Sequence, residues 1–182
     1  YCLALDMRDL DALVGLFPED VRVSRDESGR RALKVWFDKT LREQFTGTAH
    51  VTGNHIIEFD SSDHARGLVY SRNEHETGDE WIVMTMMYWD RYERIDGRWL
   101  FRRRLPLYWY ATDLNKPPVG ANKMRWPHVE PYEGGYSEFW PSWTRFWSED
   151  YQVDSDVPVP ASVDDFLLRM APQDEDLSVR VR

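Results

Sequence analysis

The sequence predicts an α+β domain, with helices gathered on one side of a strongly curved antiparallel sheet. Two observations carry this. Up to residue 45 the apolar residues recur at helical intervals, and from about residue 47 to 112 they form four long strand-like runs joined by short turns. Helices first and consecutive strands afterwards is the order of an α+β architecture. Such a sheet, closed over by its helices, forms a cone with an apolar interior, a natural small-molecule pocket.

The elements follow in order. Residues 1–8 (YCLALDMR) read as the last turns of a helix in which Cys2, Leu3 and Asp6 share one side. Asp6 therefore projects from a largely apolar face. An acid there opposes the helix macrodipole, so its presence calls for a reason, the plainer one being half exposure at a helix end. Asp9 caps a second helix (LDALVGLF) with Leu10, Leu13, Val14 and Phe17 as its buried stripe, and Pro18 ends it. Residues 21–26 (VRVSRD) read as a short strand. A third helix spans 32–45, with Leu33, Trp36, Phe37, Leu41 and Phe45 at helical intervals.

The strands come next: HVTGNHIIEFD, RGLVYSRNEHE, EWIVMTMMYWDRYERI and RWLFRRRLPLYWYA. Thr77-Gly78-Asp79 turns the second into the third, and Asp96-Gly97 is a two-residue hairpin signal before the fourth. From Asn115 the regular pattern stops. Residues 115–160 hold seven of the ten prolines and many aromatics, too hydrophobic for a disordered tail. Two regions are thus expected, a cone domain over 1–114 and an extension over 115–182 that packs on the cone or on a neighbouring subunit. Within the extension, residues 162–171 read as a capped helix, with Ser162 at the N-cap and Asp165 at N3.

Bulk properties exclude several classes. A chain of 182 residues with 42% hydrophobic content can bury a real core. Its net charge of −9 argues against a nucleic-acid partner, which wants a basic face. One cysteine rules out an internal disulfide framework and a Cys-based zinc cluster. No apolar run is long enough to span a bilayer, so a soluble, cytoplasmic protein without a membrane partner is expected. The chain opens at Tyr1 without a methionine and partway through a helix, which reads as a truncated N-terminus. Aromatics make up 14%, and they suit apolar ligand pockets and oligomer interfaces alike.

The stretch GTAHVTGNHIIEF (47–59) holds the chief candidate, His50, at the start of a strand. His50, His55 and His64 do not have the spacing of a metal site, and no metal or cofactor is called for. His50 faces the pocket and works with Asp6, or else it is a satisfied structural histidine. Histidine titrates near neutrality and suits proton removal next to a carbonyl or an aromatic ring. A buried carboxylate on its other nitrogen fixes the tautomer. His55 has the opposite strand parity and faces outward unless a bulge intervenes. His64 lies in a turn, and His75 is a weaker candidate for the pocket mouth. Met84, Met86 and Met87 fill core. Tyr88, Trp89 and Tyr108 sit on pocket-forming strands, as cavity lining or as core. Asn54 and Trp36 complete the candidate substrate contacts. Arg102, Arg103 and Arg104 are either functional or paired across strands with Asp90 and Glu93.

Tyr1 and Asp6, followed by Arg8-Asp9-Leu10-Asp11-Ala12-Leu13 and Phe17-Pro18-Glu19-Asp20, resemble the opening of the SnoaL-like branch of the nuclear transport factor 2-like superfamily, with its cystatin-like cone. His50 at a strand start and Tyr92-Glu93-Arg94-Ile95-Asp96-Gly97-Arg98-Trp99 before the final strand fit the same pattern, which covers roughly residues 1–112. Within that branch the chain looks most like cofactor-independent lyases: scytalone dehydratase, hexachlorocyclohexane dehydrochlorinase and bile-acid 7α-dehydratase. The resemblance implies that His50 is the general base and that Asp6 orients it. It also implies that Tyr1 contacts substrate oxygen, that Asn73 is a polar pocket residue, and that Arg104 steadies developing charge. The expected activity is dehydratase-type elimination, or a related carbon–carbon cleavage, on an aromatic, polyketide or steroid-like molecule. An isomerase or cyclase, or a non-catalytic binding or scaffold subunit, are the alternatives on the same scaffold. Relatives imply a homo-oligomer, with a trimer favoured.

Overall fold

The computed structural model describes residues 1–134, Ser137, residues 140–153 and Leu167. Two short helices open the chain, α1 (Cys2–Asp6) and α2 (Leu10–Val14). Between them Arg8 takes a left-handed φ of 60°, which breaks the helical path. Asp9 caps α2 by accepting from the Ala12 amide at 3.0 Å. The helix stops at Val14, short of the expected Phe17, because the Leu16 and Phe17 amides bond three residues back and tighten the last turn. The expected strand over 21–26 is not formed. Val23 and Ser24 amides both turn onto the Glu27 carbonyl, leaving one isolated bridge between Arg22 and Ser28.

Helix α3 (Arg30–Gln44) buries Leu33, Phe37 and Leu41, spaced four apart on one face. With Leu5, Leu13, Val14, Phe17 and Val21 they form the helical core. Four antiparallel strands follow in sheet order: β1 (Gly47–Phe59), β2 (His64–Thr77), β3 (Glu80–Ile95) and β4 (Arg98–Asp113). The Asp96-Gly97 hairpin has both central residues at positive φ, 50° and 77°, as a type I′ turn requires.

Bulges bend the sheet. One lies in β1 between Thr52 and His55, and two lie between β3 and β4, at Thr85/Met86 and Arg91/Tyr92. On the concave face Val69, Ile82, Met84, Met86, Tyr88, Tyr108 and Ala111 form a core, with Met84 and Met86 filling it as expected. Met124, Trp126 and Tyr132 pack into its end, and Met124 bridges to Ala111 and to Tyr132. On the convex face Leu68, Met87, Trp89, Leu105 and Leu107 pack with Trp140 and Leu167. A further short helix, α4 (Pro141–Phe146), was not apparent in the aromatic- and proline-rich sequence, because six residues carry too little periodicity to be seen. The helix expected over 162–171 lies outside the described residues, apart from Leu167, which is helical and buried. Among the described residues no helix is long and apolar enough to cross a membrane.

Candidate active site

The end of α1 and the start of β1 meet at Asp6 and His50. The Asp6 carboxylate accepts the His50 Nδ1 proton at 2.7 Å and the His50 backbone amide at 2.8 Å. An ionised carboxylate can only accept, so the neutral ring carries its proton on Nδ1 and leaves the Nε2 lone pair free. Asp6 also accepts from the Thr48 hydroxyl at 2.8 Å, and Thr48 in turn accepts from Arg8 at 2.7 Å. The left-handed turn at Arg8 thus serves the site: it brings the guanidinium back onto Thr48 and onto the Leu5 carbonyl at 2.9 Å.

Burial pushes the Asp6 carboxyl up, but the His50 amide, the imidazole and Thr48 together pull it below its ordinary value. Burial lowers His50, and Asp6 opposes that without cancelling it. The ring is therefore neutral at pH 7 and able to take up a proton. Its side chain keeps 6% exposure. Beside it, with ring centres 5.6 Å apart, lies His75. Rather than reaching a pocket mouth, His75 is buried between Phe45 and Trp126, and burial pushes it down to about 4.

A cavity of about 570 Å³ opens on the concave side, lined by Tyr1, Cys2, Thr52, His55, Ile57, Phe59, Tyr92, Trp99, Phe101 and Arg104 among others. Inward-facing positions on β1 run His50, Thr52, then His55 and Ile57 beyond the bulge. The lining begins at Thr52, one inward position from His50, and includes neither His50 nor Asp6. His55 faces inward because the bulge resets the strand parity.

The cavity wall also holds an ion pair. Asp90 is fully buried and receives Arg104 through two bonds, Nε at 2.9 Å and Nη2 at 2.7 Å. The Arg104 guanidinium lies 4.2–4.3 Å from the ring centres of Tyr1, Tyr88 and Phe101. Tyr92 donates to Asp90 at 2.9 Å and meets His55 Nε2 at 3.1 Å. Gly67 makes room for Tyr92, since a Cβ there would come within 2.6 Å of its ring. Desolvation pushes Tyr1 up to about 12, so its phenol stays protonated.

The fold brings four predicted residues into one region: Asp6 and His50 as a pair, and Tyr1 and Arg104 at the cavity wall. The others are placed differently. Asn73 is 1% exposed and spends its amide inside the wall, donating to Tyr88 at 2.9 Å and accepting from Ser71 at 2.5 Å. Tyr88 and Tyr108 are buried in the concave core. Trp36 is 49% exposed and stands off the buried stripe of α3, against Phe37. Asn54 is exposed in the β1 bulge and does not line the cavity. Of the three arginines, Arg102 pairs with Glu93 and Asp20, and Arg104 with Asp90. His64 is exposed, and instead of lying in the turn it is the first residue of β2, paired with Glu93 and close to Ser61. Sequence reasoning passed over Thr48 and the part played by Arg8, and it allowed an inward His55 only where a bulge intervened, which is the case here. Gly53 within a strand was the available signal for the bulge. Among the described residues no three His, Cys, Asp or Glu side chains are grouped to hold a metal ion.

Fold and site together define a cone-shaped α+β protein with a half-buried His–Asp pair beside a mostly apolar cavity. The family model for the SnoaL-like domain matches residues 1–105, more than half the chain, and the chain belongs to that family. Among solved structures, a protein of Novosphingobium aromaticivorans DSM 12444 provisionally named a scytalone dehydratase is similar at 27% identity and a TM-score of 0.56. That match covers 74% of this chain and 85% of the other. The hexachlorocyclohexane dehydrochlorinase LinA-type3 of Novosphingobium barchaimii LL02 is similar at 21% identity and a TM-score of 0.56, over 65% and 86% of the two chains. A type 2 LinA dehydrochlorinase is similar at 20% identity with the same TM-score, over 70% and 87%. At those two identities the likeness is one of fold, which is the nuclear transport factor 2-like fold. No curated protein matches the chain closely enough to count as a relative.

Proposed function

We propose that the protein is a cofactor-independent lyase of the dehydratase type, acting on a hydrophobic or aromatic small molecule held in the 570 Å³ cavity. The observation that carries this is the double hold of Asp6 on His50, which leaves Nε2 as a base. His50 Nε2 removes a proton next to an activating carbonyl or ring, and Asp6 stabilises the imidazolium that forms. Tyr1, kept protonated, donates to the substrate oxygen, and Arg104 beside it supplies fixed positive charge. Loss of water or another small leaving group completes the reaction. The named neighbours, a scytalone dehydratase and a dehydrochlorinase, accord with elimination chemistry. A panel of hydroxylated cyclic ketones tests it: wild type is expected to release water and form the conjugated product, and His50→Ala to lose turnover while keeping the fold. Activity within a few-fold of wild type in that variant would remove His50 from the mechanism.

One observation favours a second reading. The cavity lining stops at Thr52 and omits His50, as it would in a ligand-binding member of the family without turnover. Tight binding of panel compounds with no product from any of them would decide for it. We also propose self-association, supported by the apolar side chains exposed on edge strand β1, among them Val51 at 60% and Phe59 at 69%. The mass of the protein in solution checks this.

A further inference from the structure

The cavity has a second polar station, built by the β1 bulge, and its hydrogen-bond directions can be worked out. Asp90 is buried and doubly bonded to Arg104, so it is ionised and can only accept. Tyr92 must therefore spend its one proton on Asp90. The oxygen of Tyr92 then has only lone pairs to offer His55 Nε2, 3.1 Å away, and Nε2 must carry the proton. In the neutral ring that leaves the lone pair on His55 Nδ1. Burial lowers the pKa of His55, with Asp90 acting the other way, so the ring is neutral at pH 7. The lining contains no carboxylate, and Arg104 and Cys2 offer protons rather than strong acceptors. Around this station lie Ile57, Phe59, Trp99 and Phe101.

We propose that His55 Nδ1 is the hydrogen-bond acceptor that selects the ligand: a hydrophobic ring compound bearing a hydroxyl, whose O–H donates to His55 while the ring lies against the apolar wall. This deepens the ligand reading of the cavity given above and rests on it. His55 is exposed in the open cavity, so Nδ1 loses its water only when the ring lies against the wall; an ether or halide there then leaves it unsatisfied, which is the kind of mismatch that polar pockets reject. Tyr92 acts through His55 as a positioning residue, since it fixes which nitrogen is free.

The test is binding, so it does not depend on turnover. Affinities of 2-naphthol and 2-methoxynaphthalene are measured on wild type, His55→Phe and His55→Gln, and the nitrogen-15 shifts of the His55 ring are recorded at pH 7. Wild type is expected to prefer the naphthol by about tenfold, the worth of one hydrogen bond. His55→Phe should bring the ratio to near one, and His55→Gln, which keeps an acceptor, should restore part of it. The ring should show a protonated Nε2. An equal ratio in wild type, an unchanged ratio in His55→Phe, or a proton on Nδ1 would each overturn the proposal. Loss of proton abstraction in a His50 variant with this ratio intact would separate the two claims.

Discussion

Asp6 grips His50 at two points, the ring Nδ1 at 2.7 Å and the backbone amide at 2.8 Å, so one carboxylate sets both the tautomer and the position of the ring. Asp6→Asn presents an amide NH₂ to at least one of these donors. It is expected to lower kcat by about two to four orders of magnitude through the wrong tautomer. Stability should fall by about 1–3 kcal/mol for the unmatched polar group. Steady-state kinetics and thermal unfolding on the same preparation check both.

Thr48 passes the hold of Arg8 to Asp6. Thr48→Val keeps the shape and removes one bond to the charged carboxylate. The Asp6 pKa is expected to rise toward its ordinary value, because the ionised form loses a donor. Carbon-13 titration of the Asp6 carboxyl reads this directly. Turnover should fall less than in Asp6→Asn.

The Arg104–Asp90 pair is first a structural matter. Arg104→Met leaves a fully buried Asp90 charge without its cation, at a cost of about 3–5 kcal/mol. The double variant Arg104→Met with Asp90→Leu should recover much of that stability. Denaturant unfolding of the single and double variants measures it. Lost activity in Arg104→Met therefore counts toward a role with substrate only where the double variant, refolded, is equally inactive.

His75 predicts an acid-sensitive fold. Its pKa of about 4 lies below the unfolded value of about 6.5, so the unfolded chain binds the extra proton first. Stability contributed by neutral His75 is complete above about pH 6.5 and declines as the pH falls to about 4, by up to about 3 kcal/mol. Below that, both states are protonated and the slope ends. Asp6, whose pKa is depressed, loses its contribution in a lower window, as the pH falls through its folded value. Denaturant midpoints from pH 7 to pH 4 should fall in wild type and stay flatter in His75→Phe.

Much of this was legible in the sequence, for identifiable reasons. The helices and strands were visible because α3 carries Leu33, Phe37 and Leu41 at helical intervals and the hairpins carry Gly78 and Asp96-Gly97. The Asp6–His50 pairing was readable because the SnoaL-like resemblance sets an acid at the helix end and a histidine at the strand start as partners; the residues alone left a structural histidine open. Trp36 was mistaken for part of the buried stripe, since hydrophobic character alone does not say which face a residue takes. Asn73 looked available but is consumed by Ser71 and Tyr88, which only cross-strand packing reveals. His55 was turned inward by a single extra residue near Gly53, and strand parity cannot foresee that. The elements of the tail were not legible because its packing is set by isolated contacts such as Met124 on Ala111, which leave no periodicity in the sequence.

The most direct test of the central claim needs no knowledge of the leaving group. A bicyclic aromatic ketone that binds the cavity is incubated in D₂O with wild type and with His50→Gln, and exchange of the hydrogen next to the carbonyl is followed by NMR across pH 5–8. With His50 Nε2 as the base, wild type accelerates exchange, its rate falls only at a pH below the ordinary histidine value, because burial lowers His50, and His50→Gln returns to background. Exchange that persists undiminished in folded His50→Gln, or that wild type never accelerates for any bound ketone, would contradict the account.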